Sequence, residues 1–146
     1  MLQYYGADPE FSLEGKTAVI TGGAAGIGYE TAKFFAKKGV NLVLADLNPG
    51  VDEIAKELDP KAVGIAGDVT NGAYRQSVVD LGVKQFGQID ILVNCAGIVA
   101  LEKAELISES DWDRTMNINL KSSFMMAQLL GKYFIDNHIN GSIVNI

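Results

Sequence analysis

This sequence predicts an α/β fold built on a parallel sheet, and three observations support that prediction. From Lys16 onward, apolar stretches rich in Val, Ile and Leu alternate with segments of helical periodicity. The apolar stretches are nearly continuous, which is typical of strands covered on both faces. Glycines follow the first strand and close several of the predicted helices. Such an alternation favours right-handed crossovers with helices on both faces of one sheet.

The first two strand–helix units extend to Pro60. A β-rich stretch, Thr17–Thr21, ends at glycines, and apolar residues then recur at helical spacing until Gly39 stops the helix. Residues 41–46 (NLVLAD) form the second predicted strand, and a short helix follows from Val51. The glycines after the first strand therefore lie between a strand and a helix.

Three further strands complete the predicted sheet. Residues 62–69 (AVGIAGDV) form the third, and a helix from Tyr74 to Phe86 follows it. Residues 90–97 (DILVNCAG) form the fourth, and residues 141–146 (GSIVNI) begin a fifth, within which we expect the chain to end. The prediction is a doubly wound, Rossmann-like sheet with strand order 3-2-1-4-5.

A long, broadly apolar helix is predicted between the fourth and fifth strands. Either Ser108 or Ser110 is placed to cap its start near Trp112. Apolar residues continue to Phe134, which suits a helix buried against both the sheet and a neighbour. We expect the helix around Met116–Phe134 to join copies of the chain into a homo-oligomer, a dimer or a tetramer.

Composition limits the possible functions. The 146 residues, with 48 % hydrophobic and 21 % charged side chains, suit a single globular domain spanning 1–146. The net charge of -6 argues against a nucleic-acid partner, which needs a basic face. One cysteine, Cys95, excludes an internal disulfide, and a single His138 leaves no metal cluster. Since we find no secretory signal and no membrane-spanning run, we expect a cytoplasmic protein without a membrane partner.

The loop after the first strand has the spacing of a phosphate-binding turn. Gly22, Gly26 and Gly28 stand as G-x-x-x-G-x-G at the sheet edge where such folds bind ligands. Free N–H groups and the positive helix end would stabilise a pyrophosphate, and a Cβ would keep the anion from those donors. A P-loop is excluded because no Lys-Ser or Lys-Thr pair closes the loop. The alternative is a tight turn without a ligand.

Asp46 ends the second strand, where an acid can accept both hydroxyls of an adenosine ribose. Its carboxylate would repel the 2′-phosphate of NADP, and neither Ala24, Ala25 nor Leu47 offers a compensating cation. The pattern therefore favours NAD as the cofactor. Taken alone, Asp46 is better interpreted as a helix-capping or solvated aspartate.

Four segments together resemble the classical short-chain dehydrogenase/reductase family. TGGAAGIG (21–28) resembles its T-G-x-x-x-G-I-G loop, and GDVT (67–70) resembles the Asp-Val that reads the adenine. NCAG (94–97) is similar to its N-N-A-G, and MNINL (116–120) to the segment with its catalytic asparagine. The segments occur in the family's order, and the resemblance covers nearly everything after Leu13, the family's N-terminal cofactor-binding portion.

The resemblance implies a set of cofactor contacts. Asp68 would bond the adenine amino group and Val69 would present backbone to the ring. Asn94–Gly97 would line the adenosine ribose side, with Asn94 also tying neighbouring strands together. Cys95 replaces the family's second asparagine and is expected to point into the core. The predicted cofactor-binding residues are Gly22, Ala25, Gly26, Ile27, Gly28, Asp46, Leu47, Asp68, Val69, Asn94, Ala96 and Gly97.

The resemblance also implies one catalytic residue in this chain. The asparagine before leucine in MNINL matches the family's pattern, so Asn119 would hold a water that relays protons from the catalytic lysine. Asn117 is the competing candidate, and a buried asparagine bonding backbone is the alternative. The family's serine, tyrosine and lysine would lie beyond residue 146, so we expect an incomplete domain that is inactive alone.

Tyr29 and Lys33 have the spacing of the family's catalytic tyrosine and lysine. They lie on the helix that would meet the pyrophosphate, whereas the nicotinamide lies at the other end of the dinucleotide. A proton donor must be within hydrogen-bond reach of the reacting oxygen. We therefore interpret both as surface residues of the first helix.

The function that the resemblance implies is an oxidoreductase that interconverts a secondary alcohol and a ketone with NAD(H). Sugar acids, polyols and 3-ketoacyl compounds are equally compatible with the chain as substrates. Two alternatives remain: a non-catalytic dinucleotide-binding module, and an interaction fragment whose helix 116–134 pairs with another subunit.

Overall fold

The computed structural model describes residues 12–146, which form a five-stranded sheet flanked by helices. The strands are β1 (Thr17–Thr21), β2 (Asn41–Asp46), β3 (Val63–Ala66), β4 (Ile91–Asn94) and β5 (Ser142–Asn145). Their order is β3-β2-β1-β4-β5, and each neighbouring pair is parallel. The predicted fold class and strand order are confirmed.

Within residues 12–146, five α-helices connect these strands. They are α1 (Gly26–Ala36), α2 (Val51–Leu58), α3 (Gly72–Phe86), α4 (Glu109–Met116) and α5 (Ser122–Asp136). A short 3₁₀ helix covers Ala104–Leu106, and a π-helical turn, Asn117–Lys121, joins α4 to α5. In this described part of the chain, no helix combines the length and the apolarity that crossing a membrane requires.

The strands bury side chains on both faces of the sheet. On one face, Ile20 of β1 belongs to a cluster with Ala32 of α1 and Ala55 of α2. On the other face, the adjacent Val19 belongs to a cluster with Met126 of α5. Successive residues of a strand point to opposite faces. Because both faces are covered, the strand sequences are continuously apolar rather than alternating.

The carboxyl ends of the central strands are in register. Thr21 at the end of β1 lies beside Ala45 of β2 and Asn94 of β4. Asp46 at the end of β2 lies beside Ala66 of β3. The loops that follow these four strands therefore leave the sheet at one edge, which is where parallel sheets of this kind bind ligands.

The third strand is shorter than the predicted 62–69, because the chain turns after Ala66. The N–H of Gly67 donates to the carbonyl of Asp46 at 2.8 Å. The carboxylate of Asp68 then accepts the N–H of Thr70 at 2.8 Å, an Asx-type turn that ends the extended backbone. This turn carries Asp68 away from the strand and toward the sheet edge.

The predicted helix between the fourth and fifth strands is divided in two. Its start is capped by Ser108, whose Oγ accepts the N–H of Asp111 at 3.1 Å, and Ser110 lies inside the first turn. Of the two candidate caps, Ser108 is therefore the one that caps the helix. The π-helical turn Asn117–Lys121 interrupts the α-helical pattern, and such turns often occur at functional sites.

The expectation that this helical region is buried on two sides is wrong for its first half. Met126, Leu130 and Phe134 of α5 are buried against the sheet. In contrast, Trp112, Leu120 and Phe124 are 59 %, 60 % and 62 % exposed. Together with Met116, which is 36 % exposed, these three residues are named here the outer helix face.

Candidate functional site

A cleft lies at the carboxyl edge of the sheet, bounded by the loops that follow β1 to β4. Its volume is about 120 Å³. Sites that enclose a whole small ligand usually measure about 300–1,000 Å³, so this cleft would enclose only part of a dinucleotide. Its lining residues come from all four loops and from two helical segments. They are Gly22, Ala45, Asp46, Leu47, Gly67, Asp68, Val69, Tyr74, Ala96, Gly97, Ile98 and Ile118.

The structure divides the predicted cofactor residues into three groups. Those that line the cleft are Gly22, Asp46, Leu47, Asp68, Val69, Ala96 and Gly97. Those in the loop and first turn of α1 are Ala25, Gly26, Ile27 and Gly28. Asn94 forms the third group, because it is buried in β4 below the cleft.

The glycines of the first loop serve different purposes. A Cβ on Gly22 would lie 2.8 Å from the nitrogen of Ala96, and the φ of +66° already disfavours other residues. A Cβ on Gly28 would overlap the carbonyl oxygen of Gly22. Both glycines therefore permit close packing within the protein. Gly26, with φ +55°, has nothing within 4 Å of its Cβ position, which leaves room for an approaching anion.

The first turn of α1 is open to a ligand. Ala25 precedes the helix in an extended conformation, no side chain caps the turn, and the turn contains no acidic residue. Ala25, Gly26 and Ile27 are exposed. The first N–H groups of a helix have no partner within it, and the dipole makes this end positive. The turn can therefore donate hydrogen bonds to a phosphate group.

Asp46 is held at the mouth of the cleft by two backbone donors. Its Oδ2 accepts the N–H of Ala24 at 3.0 Å, and its Oδ1 accepts the N–H of Asn48 at 2.9 Å. Each carboxylate oxygen retains a further lone pair. The side chain is partly exposed, so it can accept hydroxyl groups of a ligand in a fixed orientation. None of the residues that line the cleft is Lys, Arg or His.

Asp68 and Val69 also line the cleft. The Oδ1 of Asp68 accepts both the N–H and the hydroxyl of Thr70, each at 2.8 Å. The carbonyl of Val69 accepts a hydrogen bond from Nη1 of Arg75 at 2.8 Å. The exposed Asp68 carboxylate is thus oriented locally, as a hydrogen-bond acceptor for a ligand amino group would need to be.

Asn94 does not line the cleft with its side chain, contrary to the expected ribose contact. It is 2 % exposed, and its Nδ2 donates to the carbonyl of Ser123 at 3.2 Å and to Oδ1 of Asn145 at 2.9 Å. These bonds join β4 to α5 and to β5. The expectation that Asn94 ties neighbouring strands together is confirmed, and its contribution to the cleft is indirect.

Thr21 is a site residue that sequence reasoning missed. Its buried hydroxyl accepts the N–H groups of Cys95 and Ala96, each at 3.2 Å. This contact ends β4 at Asn94 and turns the following residues into the cleft. A polar residue that ends an otherwise apolar strand was the only signal for it.

Cys95 packs against the core cluster of α1 and α2, as expected, although it is only partly buried. Burial raises the pKa of its thiol above the ordinary value. A thiol with a raised pKa forms less thiolate at neutral pH, which is the reactive species. The residue is therefore suited to packing rather than to nucleophilic chemistry.

Asn119 binds the segment that follows β4. Its Oδ1 accepts the N–H of Ile98 and its Nδ2 donates to the carbonyl of Ile98, each at 2.8 Å. Asn119 is exposed and lies in the π-helical turn. Asn117, the competing candidate, stands at the end of α4. The contact with Ile98, a cleft residue, connects Asn119 to the site.

Tyr29 and Lys33 lie outside the cleft. They line a separate depression between α1 and α2 together with Lys37 and Glu57. The Nζ of Lys33 is 3.6 Å from Oε1 of Glu30, one turn earlier on α1. Both residues occupy the surface of the helix, as interpreted from the sequence.

Tyr74 is a second residue that the sequence did not identify as part of the site. It is half-buried, lines the cleft, and donates its hydroxyl to the carbonyl of Ile65 at 2.7 Å. Burial is the main reason why its pKa is raised to about 12. The phenol therefore stays protonated at neutral pH and acts as a hydrogen-bond donor.

Within residues 12–146, no group of three or more His, Cys, Asp or Glu side chains could hold a metal ion.

The chain is similar to known proteins both in sequence and in fold. The sequence model of the family described as short chain dehydrogenase matches residues 16–146. A crystal structure of a short chain dehydrogenase from Bacillus anthracis superposes with a TM-score of 0.86 and is 32 % identical in sequence. That superposition covers 92 % of this chain and 56 % of the Bacillus chain.

Two curated relatives cover nearly the whole chain. An NAD-dependent glycerol dehydrogenase of Listeria innocua is 40 % identical over 146 residues, which is 99 % of this chain and 57 % of the relative. A D-threitol dehydrogenase of Mycolicibacterium smegmatis is 42 % identical over 148 residues, covering 99 % of this chain and 56 % of the relative. The chain thus spans somewhat more than half the length of these proteins.

Proposed function

The chain belongs to the short-chain dehydrogenase family, and we propose from that premise that the whole protein is an NAD-dependent oxidoreductase. It interconverts a secondary alcohol and a ketone by hydride transfer. The observation that carries this proposal is the arrangement of one sheet edge: Gly22 of the first loop, Asp46 and Asp68 line the same cleft, and the open first turn of α1 follows that loop. The family generally uses NAD(P).

The cofactor contacts follow from this arrangement. The first turn of α1, with Ala25, Gly26 and Ile27, binds the pyrophosphate through backbone N–H groups. Asp46 accepts hydrogen bonds from the hydroxyls of the adenosine ribose. Asp68 accepts a hydrogen bond from the adenine amino group. The bound cofactor supplies or accepts the hydride.

Further cofactor contacts come from backbone and from packing. Leu47 and Val69 flank the adenosine, and Ala96 and Gly97 face its ribose side. Gly22 and Gly28 keep the loop close enough for those contacts, and Asn94 supports the segment from below. Each of these assignments rests on the position of the residue in or beside the cleft.

NAD is preferred over NADP in this proposal because of Asp46. Its carboxylate is fixed by the N–H groups of Ala24 and Asn48 and faces the mouth of the cleft. A 2′-phosphate placed there would meet a negative charge, and no cation lines the cleft to offset the repulsion. The Listeria innocua relative is named as NAD-dependent.

Protonation of the substrate oxygen needs a group other than the cofactor, since hydride transfer to a ketone leaves an alkoxide-like charge on that oxygen. The phenol of Tyr74 is committed to the carbonyl of Ile65 and its pKa of about 12 disfavours proton exchange. Asn119 supports a proton relay through a bound water, because Nδ2 and Oδ1 each retain one hydrogen-bonding position beyond Ile98. We propose that the family's serine, tyrosine and lysine belong to the part of the whole protein that this chain does not cover, since the chain spans somewhat more than half the length of its relatives.

Polyols are the first substrate class in the proposal, because the two relatives described above are named for glycerol and D-threitol. The test is turnover of NAD by the whole protein with glycerol, D-threitol, a sugar acid and a 3-hydroxyacyl thioester. NADH formation with a polyol supports the proposal. Binding of NADH without turnover of any alcohol or ketone would instead favour the non-catalytic dinucleotide-binding module.

A second copy of the chain is the proposed partner of the outer helix face. Trp112, Leu120 and Phe124 are large and more than half exposed, and with Met116 they recur at every fourth position of the helical region. Exposed apolar patches mark interaction sites. Sedimentation velocity would show a dimer or tetramer that Phe124→Glu dissociates. A monomer at all concentrations would contradict this assignment.

A further inference from the structure

Two neighbouring side chains of α3 hold the end of β3 and the segment that follows it. Tyr74 donates its hydroxyl to the carbonyl of Ile65 at 2.7 Å. Arg75 donates from Nη1 to the carbonyl of Val69 at 2.8 Å. The two bonds fix both ends of residues 65–69, which are named here the third-strand loop. Asp68, a proposed adenine contact, lies between the two fixed points.

The ring of Tyr74 also packs on the middle of this loop. A Cβ built on Gly67 would overlap Cδ2 and Cε2 of the ring, so the ring lies directly against the glycine backbone. The N–H of Gly67 donates to the carbonyl of Asp46 at 2.8 Å. Tyr74 therefore supports the piece of backbone that connects Asp46, at the ribose end, with Asp68, at the adenine end.

The chemistry of the phenol suits support rather than catalysis. Its hydroxyl is an O–H donor to a backbone carbonyl, and its pKa of about 12 keeps it protonated throughout the neutral range. The ring lines the cleft beside Asp68 and Val69. Tyr74 thus lines the cleft and also supports the third-strand loop, which carries Asp68.

We propose that Tyr74 is a positioning residue that gives the cleft its affinity for adenine nucleotides, by holding the third-strand loop through Ile65 and Gly67. This inference rests on the proposed function, because it requires the cleft to bind the adenosine half of the cofactor. Tyr74, on α3, would thus contribute to nucleotide affinity in addition to the contacts that the loops make. The ligand class is the adenine nucleotide as such, with or without nicotinamide.

The test uses ADP-ribose, which carries adenine and pyrophosphate, and inorganic pyrophosphate, which carries no base. Tyr74→Leu removes the hydroxyl and the ring, and Tyr74→Phe removes the hydroxyl alone. Tyr133→Leu is the matched control, because Tyr133 is also half-buried and packs on the same core cluster as Tyr74. Its hydroxyl accepts the N–H of Ile89, and it lies outside the cleft.

We expect Tyr74→Leu to weaken ADP-ribose binding about tenfold and Tyr74→Phe about threefold, which corresponds to one lost hydrogen bond. Pyrophosphate binding should stay unchanged in both, and Tyr133→Leu should bind both ligands like the wild type. A purely structural role of Tyr74 would lower the unfolding temperature without separating ADP-ribose from pyrophosphate.

The outcomes separate this inference from the proposed function. Wild-type protein that binds no ADP-ribose overturns the cofactor site and the role of Tyr74 together. Wild-type protein that binds, with Tyr74→Leu equal to Tyr133→Leu, overturns the role of Tyr74 alone. If Tyr74→Leu does not fold, Tyr74→Phe decides, and an unchanged ADP-ribose affinity in that variant overturns the inference.

Discussion

The side-chain amide of Asn119 pairs with both backbone groups of Ile98. The N–H of Ile98 donates to Oδ1, and Nδ2 donates to the carbonyl of Ile98, each at 2.8 Å. Asn119 lies in the π-helical turn between α4 and α5, and Ile98 lines the cleft. After β4 ends at Asn94, the backbone of Ile98 is therefore held by a helical side chain and not by hydrogen bonds to a neighbouring strand. This pairing fixes one wall of the site.

Asn119→Ala should lower the free energy of unfolding by about 1–2 kcal/mol, because two exposed hydrogen bonds of about 0.5–1 kcal/mol each are lost. Urea denaturation measures this change. Asn117→Ala is the control, since the residue lies in the same turn and its side chain makes no hydrogen bond with Ile98. Equal effects of the two substitutions would show that the pairing with Ile98 contributes nothing specific.

Asp46→Ala should narrow the preference for NADH over NADPH at least about tenfold, because it removes a fixed negative charge from the proposed position of the 2′-phosphate. Fluorescence titration with each cofactor gives the two affinities. Asp68→Ala is the control: it should weaken both cofactors alike, since both contain the same adenine. An unchanged cofactor ratio in Asp46→Ala would place the ribose elsewhere.

Gly22→Ala should mainly lower the stability of the fold, whereas Gly26→Ala should mainly weaken ligand binding. At Gly22 the added Cβ meets the nitrogen of Ala96 at 2.8 Å and φ is +66°, so overpacking and strain together should destabilise by about 3 kcal/mol. At Gly26, φ is +55° but the space is open, so about 1 kcal/mol is expected. Pyrophosphate affinity should fall in Gly26→Ala even where thermal unfolding shows a folded protein. Retained affinity would mean that the anion binds elsewhere.

The sheet could be predicted from the sequence because its signals are local. Each strand is a short apolar stretch, the alternation with helices favours right-handed crossovers, and the doubly wound fold has the strand order 3-2-1-4-5. The cleft residues Asp46 and Asp68 were also predictable, Asp46 because it ends the second predicted strand and Asp68 because GDVT (67–70) resembles the family's Asp-Val segment. Position along the chain was sufficient for Asp46 alone.

The contacts that shape the cleft were not predictable, because they join segments whose spacing carries no pattern. Asn119 binds Ile98 across 21 positions, and the hydroxyl of Thr21 reaches Ala96 across 75. Asn94 ends a strand like Asp46, yet its side chain turns into the sheet toward Asn145. Which way such a side chain turns depends on the neighbouring strand, and that neighbour is known only from the fold.

Asp52 should make stability depend on acid pH. The hydrogen bond with Lys56, and then the N–H of Gly64 at 2.9 Å, hold the pKa of this carboxyl below its ordinary 3.8. A lowered folded-state pKa stabilises the protein above the unfolded value, and this stabilisation is lost as pH falls through the folded-state pKa. The side chain is 39 % exposed, so solvent screening limits the effect to about 0.5 kcal/mol.

Urea denaturation between neutral pH and the acid range checks this dependence. Asp52→Asn should show a shallower loss of stability below pH 3.8 than the wild type. Glu57→Gln, on the same helix, is the control and should follow the wild type. Parallel curves for wild type and Asp52→Asn would contradict the assignment.

Thr21→Val should weaken both the fold and the cofactor site. The hydroxyl of Thr21, which is 2 % exposed, accepts the N–H groups of Cys95 and Ala96 at 3.2 Å. Cys95 also donates to the carbonyl of Thr21 at 3.1 Å, so valine leaves mainly the N–H of Ala96 without its acceptor. We expect a loss of about 1–2 kcal/mol in the free energy of unfolding.

Because Ala96 and Gly97 line the cleft, the affinity of Thr21→Val for ADP-ribose should fall as well. Thr21→Ser keeps the hydroxyl and loses a methyl group, so it should lose about 1 kcal/mol of stability while binding ADP-ribose like the wild type. Calorimetric titration of the two variants decides the matter: equal affinities in Thr21→Ser and Thr21→Val would show that the hydroxyl stabilises the sheet without shaping the site.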